Sequence, residues 1–126
     1  MKKGLVRVKI AEMMLDDRRC EMFKVGDKYD LIAAYFDGSM RSARGSLTEL
    51  LWTIQREWKC PAERVEFFHC IARILGGSVV KEVIQYEVSE AEKKLNSLYV
   101  RRRVFGGEVD VAERVLRRAK ELKELC

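Results

Sequence analysis

The sequence predicts an α+β fold: an N-terminal antiparallel β-meander packed against a C-terminal set of about four helices. Three observations carry this. Residues 1–37 hold alternating or β-branched runs separated by turn residues. Three Ser/Asp-x-x-Glu motifs (Ser46 with Glu49, Ser89 with Glu92, Asp110 with Glu113) precede or enter stretches of helical apolar spacing. Gly76-Gly77 and Gly106-Gly107 punctuate the second half. With 126 residues the chain suits one domain, 1–126, β-rich over 1–37 and mainly helical over 46–126.

The elements follow in order. Residues 5–10 alternate, so Val6, Val8 and Ile10 share one face and Arg7 and Lys9 the other, as in a half-buried strand. Asp16-Asp17-Arg18-Arg19 is a polar break. A second strand is expected over 20–25, a turn at Gly26-Asp27, and a third strand over 29–36 closed by Asp37-Gly38. Residues 38–45, Gly-Ser-Met-Arg-Ser-Ala-Arg-Gly, read as a loop. Ser46 then caps a helix over 47–59, with Leu47, Leu51, Ile54 and Trp58 on one stripe. Pro61 suits the first position of a second helix ending at Gly76-Gly77, apolar around much of its circumference and therefore central. Residues 79–88 admit two readings. Val80, Ile84, Val88, Ala91, Leu95 and Leu98 fit a long helix. The β-branched and aromatic content (Val79, Val80, Val83, Ile84, Tyr86, Val88) favours one further strand, followed by a helix over 90–104. The last helix is placed at 111–125.

Charge and cysteines bound the function. Twenty-five Lys and Arg against 20 Asp and Glu give +5, and the excess lies in residues 1–45 and 78–126. A positive balance of this size suits a polyanion partner or plain solubility. The hydrophobic share of 48% excludes a disordered chain, and 8 Gly with 1 Pro exclude a collagen-like one. No apolar run is long enough to cross a membrane, and Met-Lys-Lys-Gly-Leu passes at once into alternating residues without a signal-peptide core, so a soluble cytoplasmic protein is expected. Scarce amides (Gln55, Gln85, Asn96) beside abundant Lys, Arg and Glu match hyperthermophile composition. Cys20, Cys60, Cys70 and Cys126 form no C-x-x-C pair. Free thiols are the default, disulfides stay open, and Cys126 is placed to bridge two copies.

Five candidate sites emerge. Arg41 and Arg44 in the 38–46 stretch, beside the helix start at Ser46, suit an anion, because free N–H groups and the helix dipole favour phosphate; the ordinary alternative is a solvated loop. No Lys follows Gly45, so a Walker-type site is excluded. The run through Arg101, Arg102 and Arg103, near Tyr99 and Phe105, suits phosphates and bases, although cations at a helix C-terminus are also stabilised by its dipole. His69-Cys70 lacks further ligands and points its two side chains about 100° apart, which disfavours zinc or a nucleophile pair. Asp16-Asp17 reads as a polar turn. Trp52 lies off the apolar stripe and is an interface or second-core candidate. A helix-turn-helix is disfavoured, since the second helix would offer DNA only Arg64, His69 and Arg73.

No catalytic triad, metal-ligand set or cofactor fingerprint is present, so an enzyme ranks third, as one acting on a phosphorylated substrate. A binding protein contacting nucleic-acid phosphates without base-specific readout ranks first, through Arg41, Arg44, Ser46 and Arg101 to Arg103. A self-associating, homo-oligomeric or adaptor protein without ligand chemistry is the alternative.

Overall fold

The computed structural model describes residues 6–100 and 106–125. Four strands, β1 (Arg7–Met14), β2 (Arg18–Val25), β3 (Lys28–Tyr35) and β4 (Met40–Gly45), precede four helices. These are α1 (Leu47–Glu57), α2 (Pro61–Leu75), α3 (Lys81–Val100) and α4 (Gly106–Glu124), with a 3₁₀ turn over Gly77–Val80 before α3. The sheet runs β1-β2-β3-β4, each strand antiparallel to the next, so the expected meander followed by helices is the observed architecture.

One face of the sheet packs on the helices. Across it run the rows Cys20–Ala33–Arg41 and Met22–Leu31–Ala43, from β2 through β3 to β4. A bulge between Lys9 and Ala11 turns both Ile10 and Ala11 inward, each buried. This corrects the alternation read from residues 5–10. Val6 and Val8 are 77% and 51% exposed, because the first part of the strand lies beyond the helical cover. The outer face carries charge: Lys9 bridges Glu12 at 3.1 Å and Glu21 at 2.7 Å, Arg19 pairs with Glu12, and the Arg7 guanidinium lies 4.3 Å from the Phe23 ring.

Residues 38–45 are not a loop. After the turn at Asp37-Gly38, where Gly38 takes φ +95°, Met40–Gly45 pairs with β3 from Ala34↔Met40 to Tyr29↔Gly45. A strand of low β-propensity forms because the neighbouring strand offers a ladder of hydrogen-bonding groups, and tertiary context outweighs propensity. The turn is held by Asp37, whose carboxylate accepts from the Ser39 N–H and hydroxyl at 2.8 and 2.6 Å.

Ser46 caps α1, its hydroxyl accepting from the Glu49 N–H at 3.2 Å, while Glu49 reaches back to the Ser46 hydroxyl at 3.1 Å. Leu50, Leu51 and Ile54 face the core. Pro61 opens α2 with the predicted geometry, and Gly76, at φ +94°, ends it. α2 is the central helix: Val65, Phe67, Phe68 and Ile71 are fully buried, the phenylalanines worth about 1.5–3 kcal/mol each in removed apolar surface.

The strand reading of 79–88 fails. The segment forms the 3₁₀ turn and the start of α3, and Val80, Val83, Ile84, Val88, Leu95 and Leu98 are buried at helical spacing. The 3.6-residue period governs because only a helix presents all six to the core; β-branching costs a helix a few tenths of a kcal/mol per residue. Ser89 and Asp110 accordingly lie inside α3 and α4 rather than at their starts.

The Arg64 and Glu87 side chains are both buried and pair in a fork, Nε to Oε1 at 2.7 Å and Nη2 to Oε2 at 3.0 Å. Arg64 also donates to the Trp58 carbonyl at the α1–α2 junction. His69 is buried too, its Nε2 3.0 Å from the Arg118 carbonyl oxygen. Of the three α2 residues weighed for DNA contact, only Arg73 is exposed.

Candidate functional site

β4 runs into α1 through Ser46 alone, so the strand and helix diverge from a common corner. Between the helix-facing side of β2–β4 and the second half of α1 they leave an open cleft of about 560 Å³. Its floor is apolar and small: Leu31, Ala33, Ala43 and the Cys20 thiol. Four cations line it, Arg18 and Arg41 from the sheet, Arg56 from the last turn of α1 and Lys59 just after it, against one carboxylate, Glu57. Tyr35 stands at one end and Trp58 forms the buried wall.

The Arg18 guanidinium is half-buried between two rings, 5.7 Å from the Tyr35 centroid and 5.5 Å from that of Trp58, and it donates to Asp17 at 2.7 Å. Burial works hardest against its charge, but the Asp17 hydrogen bond and the nearby Cys20, Asp17 and Tyr35 groups together outweigh it, so its pKa is raised. Burial pushes the Cys20 thiol up, opposed by Arg18, so Cys20 stays a neutral floor group. Arg41, Arg56 and Lys59 are exposed and make no ion pair among the described residues. An exposed cation without a carboxylate partner is open to a ligand, with a field that salt screens.

The sequence candidates separate. Arg41 lies in the cleft. Arg44, three residues along the same strand, projects from the opposite face, because side chains alternate along a strand. There it forks onto Asp30, Nε to Oδ1 at 2.6 Å and Nη2 to Oδ2 at 2.9 Å, and this hydrogen bonding holds the Asp30 carboxyl below its ordinary range. The two-arginine clamp at a helix start therefore does not assemble. The Ser46 hydroxyl serves the α1 cap. Arg101, Arg102 and Arg103 lie outside the described residues, as does Cys126. Cys20, Cys60 and Cys70 are free thiols. Trp52 packs edge-on against Tyr86 at 5.8 Å and is half-buried against the core. Asp17 is engaged by Arg18, and among the described residues no group of three or more His, Cys, Asp or Glu is placed to hold a metal ion.

Sequence reasoning passed over Arg18, Arg56 and Lys59 as ligand groups. Arg56 lies in the last turn of α1 and Lys59 follows just past its extended cap at Trp58, so no local spacing in the sequence marks them as a pair. Nothing in the sequence joins them to Arg18, 38 positions before Arg56.

Compared with known proteins, the chain matches no family model, and neither a curated protein nor a solved structure matches it. Among the described residues no helix is long and apolar enough to cross a membrane.

Proposed function

We propose that this is a binding protein that contacts nucleic-acid phosphates through the cleft between β2–β4 and α1. One observation carries the reading: Arg18 from β2, Arg41 from β4, and Arg56 and Lys59 from the end of α1 and the residues after it converge onto one concave surface lined by a single carboxylate. Low-dielectric walls around like charges focus the field into the opening and favour a polyanion. The lining has one carboxylate and no histidine, so binding, rather than acid–base chemistry, is what it supports.

The test is fluorescence anisotropy of a labelled oligonucleotide at several salt concentrations. Three phosphate contacts, from Arg41, Arg56 and Lys59, give log affinity against log salt a slope of about −2 on a single strand, and dissociation constants of roughly 10⁻⁴–10⁻⁶ M fit a non-specific contact. Arg41→Ala and Arg56→Ala each reduce the slope by about one unit or slightly less. Arg44→Ala leaves it unchanged. No binding at low salt, or equal loss on Arg44→Ala and Arg41→Ala, overturns the proposal.

A further inference from the structure

Phosphate binding needs only the rim of the cleft. The floor calls for a second kind of group. Leu31, Ala33 and Ala43 are neighbours across β3 and β4, and the two alanines leave a shallow apolar bed beside the taller Tyr35. Arg18 adds a planar guanidinium, held in place by Asp17 and by the rings of Tyr35 and Trp58. A bare phosphate would leave this bed unfilled, and a duplex keeps its base faces stacked inside the helix, presenting only edges and backbone. A flat, apolar-faced, unpaired base fills it, its face on the aliphatic side chains with the Arg18 guanidinium plane beside it. The volume, about 560 Å³, lies in the range of small-ligand sites rather than of a groove that wraps a duplex.

We infer that the cleft holds one unpaired nucleotide, its base lying on Leu31, Ala33 and Ala43 and its phosphate among Arg41, Arg56 and Lys59, which makes single-stranded nucleic acid the ligand class. This rests on the phosphate-binding reading above and narrows it. Packing a base face on aliphatic side chains without edge contacts leaves the site indifferent to base identity, since every base presents a flat apolar face.

The experiment titrates the full chain into a labelled single-stranded 12-mer and into a duplex of equal length at one salt concentration, then repeats both with Ala33→Leu. Ala33 pairs with Cys20 and Arg41 on the cleft side, so a leucine there occupies the bed. The single strand binds roughly tenfold or more tightly than the duplex, and Ala33→Leu lowers single-strand affinity about tenfold without changing the salt slope, because no charge is removed. Ala43→Leu does the same and carries the test if Ala33→Leu does not fold. Equal affinity for strand and duplex, or single-strand binding insensitive to both leucines, overturns this inference and leaves phosphate binding standing. Binding to neither probe overturns both.

Discussion

Replacing Glu87 by Gln will cost about 3–5 kcal/mol, the toll of leaving a buried charge without its counter-charge. The geometry sets that figure. The Arg64 and Glu87 side chains are 10% and 2% exposed, and two of the three Arg64 hydrogen bonds end on the carboxylate. Glutamine keeps the volume and one acceptor oxygen, but it removes the negative charge and sets an NH₂ group against an Arg64 N–H. One charge-assisted bond is worth about 1.5–3 kcal/mol, and the uncompensated guanidinium adds the rest. Against a total stability of about 5–15 kcal/mol the loss is large. Urea unfolding followed by circular dichroism reads it: with an m-value near 2 kcal/mol/M, the midpoint falls by roughly 1.5–2.5 M. Replacing both partners by apolar residues, Arg64→Met with Glu87→Leu, returns the stability to within about 1 kcal/mol of the parent, because neither charge remains to be desolvated. A Glu87→Gln cost under about 1 kcal/mol at unchanged m, or a double variant equal to the sum of its singles, refutes the reasoning and makes the pair solvated and uncoupled.

Two further outcomes follow from the same structure. The Asp30 carboxyl is depressed by the Arg44 hydrogen bonds, so their contribution is fully present above the ordinary carboxyl pKa and is lost as pH falls through the lower folded value. The stability difference between the parent and Arg44→Ala, clear at pH 7, therefore shrinks as acid protonates Asp30; urea midpoints at pH 7 and pH 2.5 measure it, and a difference that grows in acid contradicts the assignment. Ser46→Ala removes the α1 cap and costs about 1 kcal/mol, lowering the thermal midpoint by roughly 3–5 °C in a scanning melt.

The meander and most helices were legible because local signals agree with tertiary demands there. Asp37-Gly38 marks a turn that forms, Ser46 a cap that closes, and Pro61 a helix start. Legibility failed where the two diverge. Met40–Gly45 has the composition of a loop and becomes a strand because β3 offers a partner. Residues 79–88 carry β-branched side chains on a helical period, and the period wins because it decides which face is buried. Arg64 and Glu87 sit among apolar neighbours 23 positions apart, and no local pattern marks them as a pair. The cleft was half legible: Arg41 was singled out, but its companions come from β2 and the end of α1, and their convergence is a property of the packing.

The sequential order of the strands has a kinetic consequence. Each strand meets its partner across a connection of a few residues, so closing the sheet loses little chain entropy at each step. The helical layer closes differently. His69 meets the Arg118 carbonyl across 49 positions, and Arg118 reaches Glu66 across 52, so joining α4 to α2 closes a far longer loop than any hairpin of the sheet. The loop-closure cost is thereby graded by distance along the chain, small for each hairpin and larger for the packing of α4 onto α2, the kind of contact that slows folding.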